Sequence, residues 1–423
     1  MSFLHLKTAI LTLLCCILVV IFIEFRLIIK PAGAPWPTRK RGVLGYTGQD
    51  EMAPKSSLSA HASAELVSRA RLKKLSTMCW KYRSIMQQKN WNMILDGKLH
   101  VGFCPIQKVG STFWRRVLEY CGGRRRYTSV FEVKWQDMKT PHVQKYRDRG
   151  PSLLESSIKF MFVRNPYQRL FSGWVDKLLS PNPIFWEKVG VRVNEFLNQK
   201  STFDCGHDVT FAEFVKYFIH TQQTKSGRDP HFIPMYEHCS PCHHKFDFIG
   251  TMETFNKDAA YLMEIISNRS HVNISIEDMK GAGYDSLNDH TMRLYRFKPD
   301  TLKCVSFHNA MQRSWRNLQI RGYLGKNVSL PFTRVEAGSV KRNTFLSALV
   351  TAYESSGSKS YRRANRREAM MEAYGTVCTD DLERLRQIFK LDWILFGYND
   401  RPIEIFELSR HYNKSFSFFD VEE

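Results

Sequence analysis

The sequence predicts an α/β domain with a mainly parallel central sheet, on three observations. From about Trp91 onward, strand-like apolar runs alternate with helix-like ones, the pattern of repeated crossovers. The run Leu99 to Cys104 passes through a turn, Pro105 to Gly110, into a helix-like run ending near Cys121-Gly122-Gly123. The run Ile158 to Val163 reads as a buried strand and passes through Arg164-Asn165 into a helix whose first turn suits Pro166.

Each turn carries chemistry. The first reads Gln107-Lys108-Val109-Gly110-Ser111-Thr112-Phe113. Behind such a turn the backbone N–H groups of a helix N-terminus and its positive dipole end face a ligand, which makes an anion site. Gly110 permits close backbone approach and Lys108 adds a full charge. No Gly-Lys-Ser/Thr triplet occurs, so this is not a Walker loop. The second reads Arg164-Asn165-Pro166-Tyr167-Gln168-Arg169-Leu170-Phe171-Ser172. Arg164 at the strand end and Ser172 in the helix supply a charged fork and a hydroxyl for one phosphate. Taken singly, an ordinary basic helix start and a surface Arg would explain them. Two such units in one chain suggest a nucleotide with two separated phosphate groups.

The pair resembles the 5′-phosphosulfate loop and 3′-phosphate motif of sulfotransferases that use 3′-phosphoadenosine 5′-phosphosulfate. More narrowly, the chain resembles Golgi carbohydrate sulfotransferases of the HNK-1, chondroitin 4-O and dermatan 4-O group. Asp229-Pro230-His231-Phe232-Ile233-Pro234 leading to Cys239-Ser240-Pro241-Cys242 supports that match, as do Phe246 to Gly250 with Glu253 and Thr254, and Leu391 to Tyr398. The resemblance spans roughly Leu99 to Tyr398 and is thin between about Met279 and Tyr374. Members often carry Pro-Lys-Val-Gly/Ala-Cys-Thr-Asn and Arg-Asp-Pro where this chain has Gln107 to Phe113 and Arg164-Asn165-Pro166. These departures preserve the donor-binding residue types and bear more on the acceptor.

The resemblance implies a P-loop-like sulfotransferase fold, preceded by a transmembrane helix and stem. It implies sulfuryl transfer from 3′-phosphoadenosine 5′-phosphosulfate to a hydroxyl of a glycosaminoglycan, or of a glycoprotein N-acetylgalactosamine or glucuronyl glycan, with no metal. Donor binding falls on Gln107, Lys108, Val109, Gly110, Ser111, Thr112 and Phe113, and on Arg164, Asn165, Pro166, Tyr167, Gln168, Arg169, Leu170, Phe171 and Ser172. Lys108 would stabilise the leaving group, Gly110 to Thr112 would cradle the 5′-phosphate, and Arg164 with Ser172 would hold the 3′-phosphate. A histidine suits the general base because its ordinary pKa lies near operating pH. Of 14 histidines, His231 is the first choice and His142 the second, with the carboxylate of Glu253 a third; a structural, hydrogen-bonded His231 is the rival. A catalytically silent glycan- or nucleotide-binding relative is the alternative function. A kinase lacks support without Walker A or protein-kinase signatures.

In chain order, residues 1–7 are expected to be a cytoplasmic tail and 8–29 a signal-anchor helix, since Thr8 to Ile23 is almost wholly apolar and Phe25 to Ile29 extends it. No small-residue cleavage site follows directly, which disfavours a removed signal peptide. The flank beyond the run (Arg26, Lys30, Arg39, Lys40, Arg41) is more basic than the one before it. That flank argues for the opposite orientation, but sequons and cysteines outweigh it. Residues 30–90 read as a stem, broken early by Pro31, Pro35, Pro37, Gly42, Gly45 and Gly48. Residues 91–423 form the expected lumenal domain. Phe211, Phe214, Val215, Phe218 and Ile219 share a helix face with Thr210 as N-cap. Asp380 to Leu391 reads as a helix capped by Thr379, and Asp392 as a carboxylate serving backbone groups.

Charge and cysteines suggest the surroundings. The 423 residues include 62 Lys plus Arg against 41 Asp plus Glu, a formal charge of +21. That excess favours polyanionic partners. No nucleic-acid-reading motif occurs, so acidic or amino-sugar glycans become the expected partner in a Golgi lumen, with the Golgi membrane held by the N-terminal helix and homo-oligomerisation left open. Asn268, Asn273, Asn327 and Asn413 each begin a sequon. Of ten cysteines, Cys15 and Cys16 lie in the apolar run, leaving eight for disulfides in an oxidising compartment. Cys239 and Cys242 make only half a structural zinc site, so disulfides are preferred there. The cluster Arg362 to Arg367 reads as a solvated face.

Overall fold

The computed structural model describes residues 57–85, 92–122, 127–138, 149–198, 205–272, 274, 281–413 and 416–421. The expected tail, anchor and early stem lie outside these, as do His142 and Asn273. Among the described residues no helix is long and apolar enough to cross a membrane.

Four short strands form one sheet in sequential order, β1 Ile94–Asp96, β2 Val101–Cys104, β3 Ile158–Val163 and β4 Phe248–Thr251. β1 pairs antiparallel with β2, through a turn in which Asp96 accepts from the amides of Lys98 and Leu99. β2 to β3 and β3 to β4 are parallel, which requires long crossovers. The main helices are α1 Ser57–Lys81, α2 Ser111–Gly122, α3 Arg149–Ser156, α4 Pro166–Trp174, α5 Phe211–Thr224, α6 Met235–Cys239, α7 Phe255–Ser270, α8 Gly281–Arg296, α9 Phe307–Ile320, α10 Arg342–Ser355, α11 Lys359–Gly375, α12 Thr379–Ile388 and α13 Lys390–Phe396, with α2 and α3 in the first crossover. The predicted mixed α/β class with a mainly parallel sheet is what forms, and the parallel strands are almost wholly buried, as sheets covered on both faces require.

Two buried apolar clusters hold the molecule. One surrounds the sheet, where Phe103 stacks on Phe160 at 4.8 Å and Trp114 of α2 meets Phe160 and Phe162. The other fills the helical half with Trp174, Phe211, Trp315, Phe345 and Trp393. Tyr167 of α4 belongs to that second cluster although its helix starts at the end of β3. Its hydroxyl donates to the Asp400 carbonyl, and the Tyr374 hydroxyl donates to the Tyr167 carbonyl.

Two expectations change in detail, and one helix falls in the span read as stem: α1 docks on the domain. Arg71 donates to the Ile249 carbonyl, Asp258, Thr251 and Thr254, and Cys79 pairs with Cys242. Helix α12 is capped by Cys378 rather than Thr379, which is its first helical residue. Asp392 does serve backbone amides, but distant ones: it accepts from Met235 and Tyr236 at the start of α6, 2.8 Å each. Helix α5 forms as expected, and Thr210 and Glu213 add a reciprocal capping box.

Candidate active site

The loops after β2, β3 and β4 lie side by side at the carboxyl ends of the parallel strands, where open α/β sheets bind ligands. The first loop is held in an unusual shape. Lys108 has φ +68° and Gly110 φ +85°. The left-handed region is costly for lysine, so the loop needs outside support. At Gly110 a Cβ would also stand 2.9 Å from the Phe255 ring, so glycine is required there twice over.

Arg169 supplies that support. It is 2 % exposed and donates three hydrogen bonds to main-chain carbonyls: Gln107 at 3.0 Å, Ile233 at 2.7 Å and His231 at 3.3 Å. One guanidinium therefore locks the first loop to the His231 segment. The disulfide between Cys104, last residue of β2, and Cys239 of α6 ties the same two segments covalently. His238 adds a brace: its Nε2 donates to the Pro230 carbonyl at 2.6 Å, and Asn92 donates to its Nδ1. Burial pushes its pKa down to about 3, consistent with a neutral ring.

Arg164 ends β3 and is 6 % exposed. Its guanidinium donates to the Lys108 carbonyl at 3.4 Å, joining the two anion motifs directly. Burial, with the charge of Arg366, lowers its pKa to about 9, while Glu253 opposes. Asn165 is the N-cap of α4, accepting from the Tyr167 and Gln168 amides at 3.0 and 3.2 Å, with Pro166 in the first turn. Tyr167, Leu170 and Phe171 point into the core, whereas Ser172 is half-buried. In the first loop Val109 is buried, while Gln107, Gly110, Ser111 and Phe113 are half-buried and Thr112 is exposed.

Lys108 sits among cations. Its ammonium is 3.1 Å from Asp176 Oδ2. Burial lowers its pKa to about 8, Asp176 opposes, and Arg321 and Lys177 add to the lowering. Asp176 also meets Arg293 of α8 at 2.9 Å and Lys177 at 3.4 Å. Burial disfavours its ionisation, yet Lys108, Arg293 and Lys177 hold its carboxyl well below the usual range. The helix after α4 widens into a π-helical turn over Val175–Leu179, which carries Asp176 and Lys177. Such turns recur at functional sites. Helix α8 is held against α2 by Arg116, which pairs with Asp285 and Asp289 one turn before Arg293.

His231 is half-buried, and its Nδ1 lies 2.7 Å from Asp229 Oδ1. Lys188 binds the other oxygen at 2.7 Å. Burial lowers the His231 pKa, Asp229 opposes, and the charges of Lys177 and Lys108 lower it further. His231 and Lys108 therefore share one electrostatic environment. Glu253, the third base candidate, is occupied elsewhere: it accepts from the Asn165 amide at 3.1 Å and from the Tyr398 hydroxyl at 3.0 Å. It braces the loops after β3 and β4.

Two parallel strands thus each end in a basic loop, and Arg164 joins the two loops. Residues 91–299 match the sulfotransferase family. The matched stretch runs from β1 to the end of α8. It is 28% identical to carbohydrate sulfotransferase 11 of Mus musculus over 201 residues, 45% of this chain and 57% of that protein. It is 27% identical to carbohydrate sulfotransferase 14 of Danio rerio over 237 residues, 51% of this chain and 62% of that one. For carbohydrate sulfotransferase 8 of Homo sapiens the figures are 27% over 203 residues, 44% and 47%. The match thus spans roughly half the length of these relatives. No solved structure matches.

Around this site, the sequence did not single out Asp176, Lys177, Asp229, Arg293 or Arg321. Asp229 was available in the Asp-Pro-His segment. Asp176 and Lys177 follow the second motif closely, but nothing in their spacing announces a π turn. Arg293 and Arg321 lie where the resemblance is thin, and folding alone brings them in. Cys239 and Cys242 are both in disulfides, which excludes the zinc reading for them, and Cys205 pairs with Cys304. Of the eight cysteines expected to be available, Cys121 and Cys378 stay free.

Proposed function

We propose that this protein transfers a sulfuryl group from 3′-phosphoadenosine 5′-phosphosulfate to a hydroxyl of a carbohydrate. The observation that carries the reading is the convergence of Lys108, Arg164 and His231 through direct bonds of Arg164 and Arg169. The charge fits the donor. Lys108, Lys177 and Arg293 surround one carboxylate, with Arg321 and Arg164 nearby, so the site holds a surplus of positive charge suited to a polyanionic nucleotide.

The donor supplies an activated sulfuryl group on a phosphate leaving group. The residues supply position, charge and a proton acceptor. Lys108 presents an ammonium where leaving-group charge would develop, and in a half-buried site that interaction is strong. The N-terminal amides of α2, with Ser111 and Thr112, hold the 5′-phosphate. Arg164 and Ser172 hold the 3′-phosphate. Asp229 fixes the His231 ring through Nδ1, leaving Nε2 to accept the acceptor hydroxyl's proton. His231 must be neutral and Lys108 protonated, so activity is lost as pH falls through the His231 pKa and as it rises through about 8.

We further propose a Golgi lumenal location for the domain, anchored through residues 8–29. Three disulfides suit an oxidising compartment, and Asn268, Asn327 and Asn413 are exposed, as glycosylation requires. The acceptor is expected among acidic or amino-sugar glycans. The test is transfer of labelled sulfate from the donor to desulfated chondroitin, dermatan, a glucuronyl-terminated oligosaccharide and a terminal N-acetylgalactosamine oligosaccharide. Transfer to one of them, abolished in Lys108→Ala, supports the reading. Protein that binds adenosine 3′,5′-bisphosphate but transfers to none favours the catalytically silent relative.

A further inference from the structure

Lys108 carries its ammonium on a flexible stem, and its backbone is already strained. What fixes that stem is a single carboxylate. Asp176 Oδ2 takes Lys108 at 3.1 Å, while Oδ1 takes Arg293 at 2.9 Å. The carboxylate is thus clamped from α8 on one side and holds the loop lysine on the other. Arg293 is itself on a helix pinned to α2 by Arg116. Lys177 shares Oδ2 at 3.4 Å and lies over the Phe185 ring at 4.5 Å.

The other groups facing Lys108 are mostly cationic or neutral. Lys177 comes from the same π turn as Asp176, and Arg321 from the end of α9. His290 of α8 is buried with its Nε2 against Arg321 at 2.6 Å, and burial holds its pKa well below the ordinary value. His231 lies across the site, and Arg164 donates to the Lys108 carbonyl. Asp176 is the carboxylate paired with the Lys108 ammonium among the described residues. Without it, the ammonium would face only repulsion and burial, and a neutral amine offers nothing to a leaving phosphate.

We propose that Asp176 is the positioning residue for Lys108, holding its ammonium charged and directed at the donor loop from a carboxylate clamped by Arg293. This rests on the sulfuryl-transfer reading above. The role differs from a fold-stabilising ion pair in one respect: it fixes the pH at which Lys108 loses its proton. The alkaline limb of activity therefore reports on Asp176.

The experiment measures sulfate transfer against pH for the full chain and for Asp176→Asn and Arg293→Gln. In wild type, activity falls as pH rises through about 8. Asp176→Asn removes the one group that keeps Lys108 charged, so the limb moves down by about one pH unit. Arg293→Gln leaves the carboxylate to Lys108 and removes a competing cation, so the limb moves up. Loosened packing does not produce opposite shifts from two partners of one carboxylate. A limb unmoved in Asp176→Asn, or displaced the same way in both variants, overturns the role of Asp176. If Asp176→Asn does not fold, Arg293→Gln decides alone: an upward limb supports the role, and an unmoved or lowered limb overturns it. Wild-type protein that transfers no sulfate at any pH overturns the transfer reading instead.

Discussion

The loops after β2 and β3 are built from the same string, a buried parallel strand, a basic turn and a helix, yet they become different devices. The first bends through two left-handed residues, Lys108 and Gly110, and depends on Arg169 from outside to keep that shape. The first amides of α2 have no acceptor within their own helix. The second loop closes itself: Asn165 takes the amides of Tyr167 and Gln168, and Pro166 contributes no N–H. An anion there is therefore expected to rest on the side chains of Arg164 and Ser172. A strand–turn–helix unit makes a backbone cradle only where its cap is missing. Where the cap is present, it makes a side-chain clamp. The reacting end of the donor is expected at the first and the anchoring end at the second.

The largest expected effect tests the reacting end. Lys108→Ala removes the charge proposed to face the leaving group, and loss of one such electrostatic contact costs on the order of 10²–10³ in turnover. Affinity for adenosine 3′,5′-bisphosphate should change by less than about tenfold, because the α2 amides and Arg164 remain. Steady-state kinetics with calorimetric binding separates the two quantities. Lost affinity with turnover intact would reverse the roles assigned to the two loops.

Arg164→Ala should do the opposite. A charge-assisted hydrogen bond contributes about 1.5–3 kcal/mol, so the dissociation constant for adenosine 3′,5′-bisphosphate should rise by roughly ten- to hundredfold. Turnover at saturating donor should fall far less than in Lys108→Ala. The bond from Arg164 to the Lys108 carbonyl is the route by which the comparison could fail. If losing it lets the first loop relax, turnover falls as deeply as affinity, and the two loops act as one unit.

The sheet half of the site was legible because its determinants are local. Strand hydrophobicity, a Gly at a left-handed turn and a Pro after an Asn are all written within a few residues, and β3 formed over the six residues read as its strand. The helical half was not. Arg293 reaches Asp176 across 117 residues, and Arg321 meets His290 across 31. Neither pairing has a spacing that a sequence could display. The docking of α1 was hidden for a related reason: α1 has irregular apolar spacing and is held through Arg71 and the Cys79–Cys242 bridge, contacts fixed by the distant end of β4 and by the loop beyond α6. Cysteines announced that bridges would form but not which, so the link that ties β2 to the His231 segment appeared only in the structure.

The smallest effect sharpens the comparison most. Asn165→Ala opens the capped helix without touching a charge, so it converts the second loop toward the design of the first. Removing an N-cap acceptor costs about 1 kcal/mol, which for a domain of this size lowers the melting temperature by about 1–2 °C. Asn165→Asp keeps the acceptor and should melt near the wild-type temperature. If Asn165 is only a cap, affinity for adenosine 3′,5′-bisphosphate in Asn165→Ala stays close to wild type, because Arg164 and Ser172 are untouched. If affinity rises, the freed amides of Tyr167 and Gln168 have joined the anion site, and the cap was what kept the second loop from being a backbone cradle. If affinity falls as far as in Arg164→Ala, the cap holds Arg164 in place, through the strand end that Glu253 also grips at the Asn165 amide.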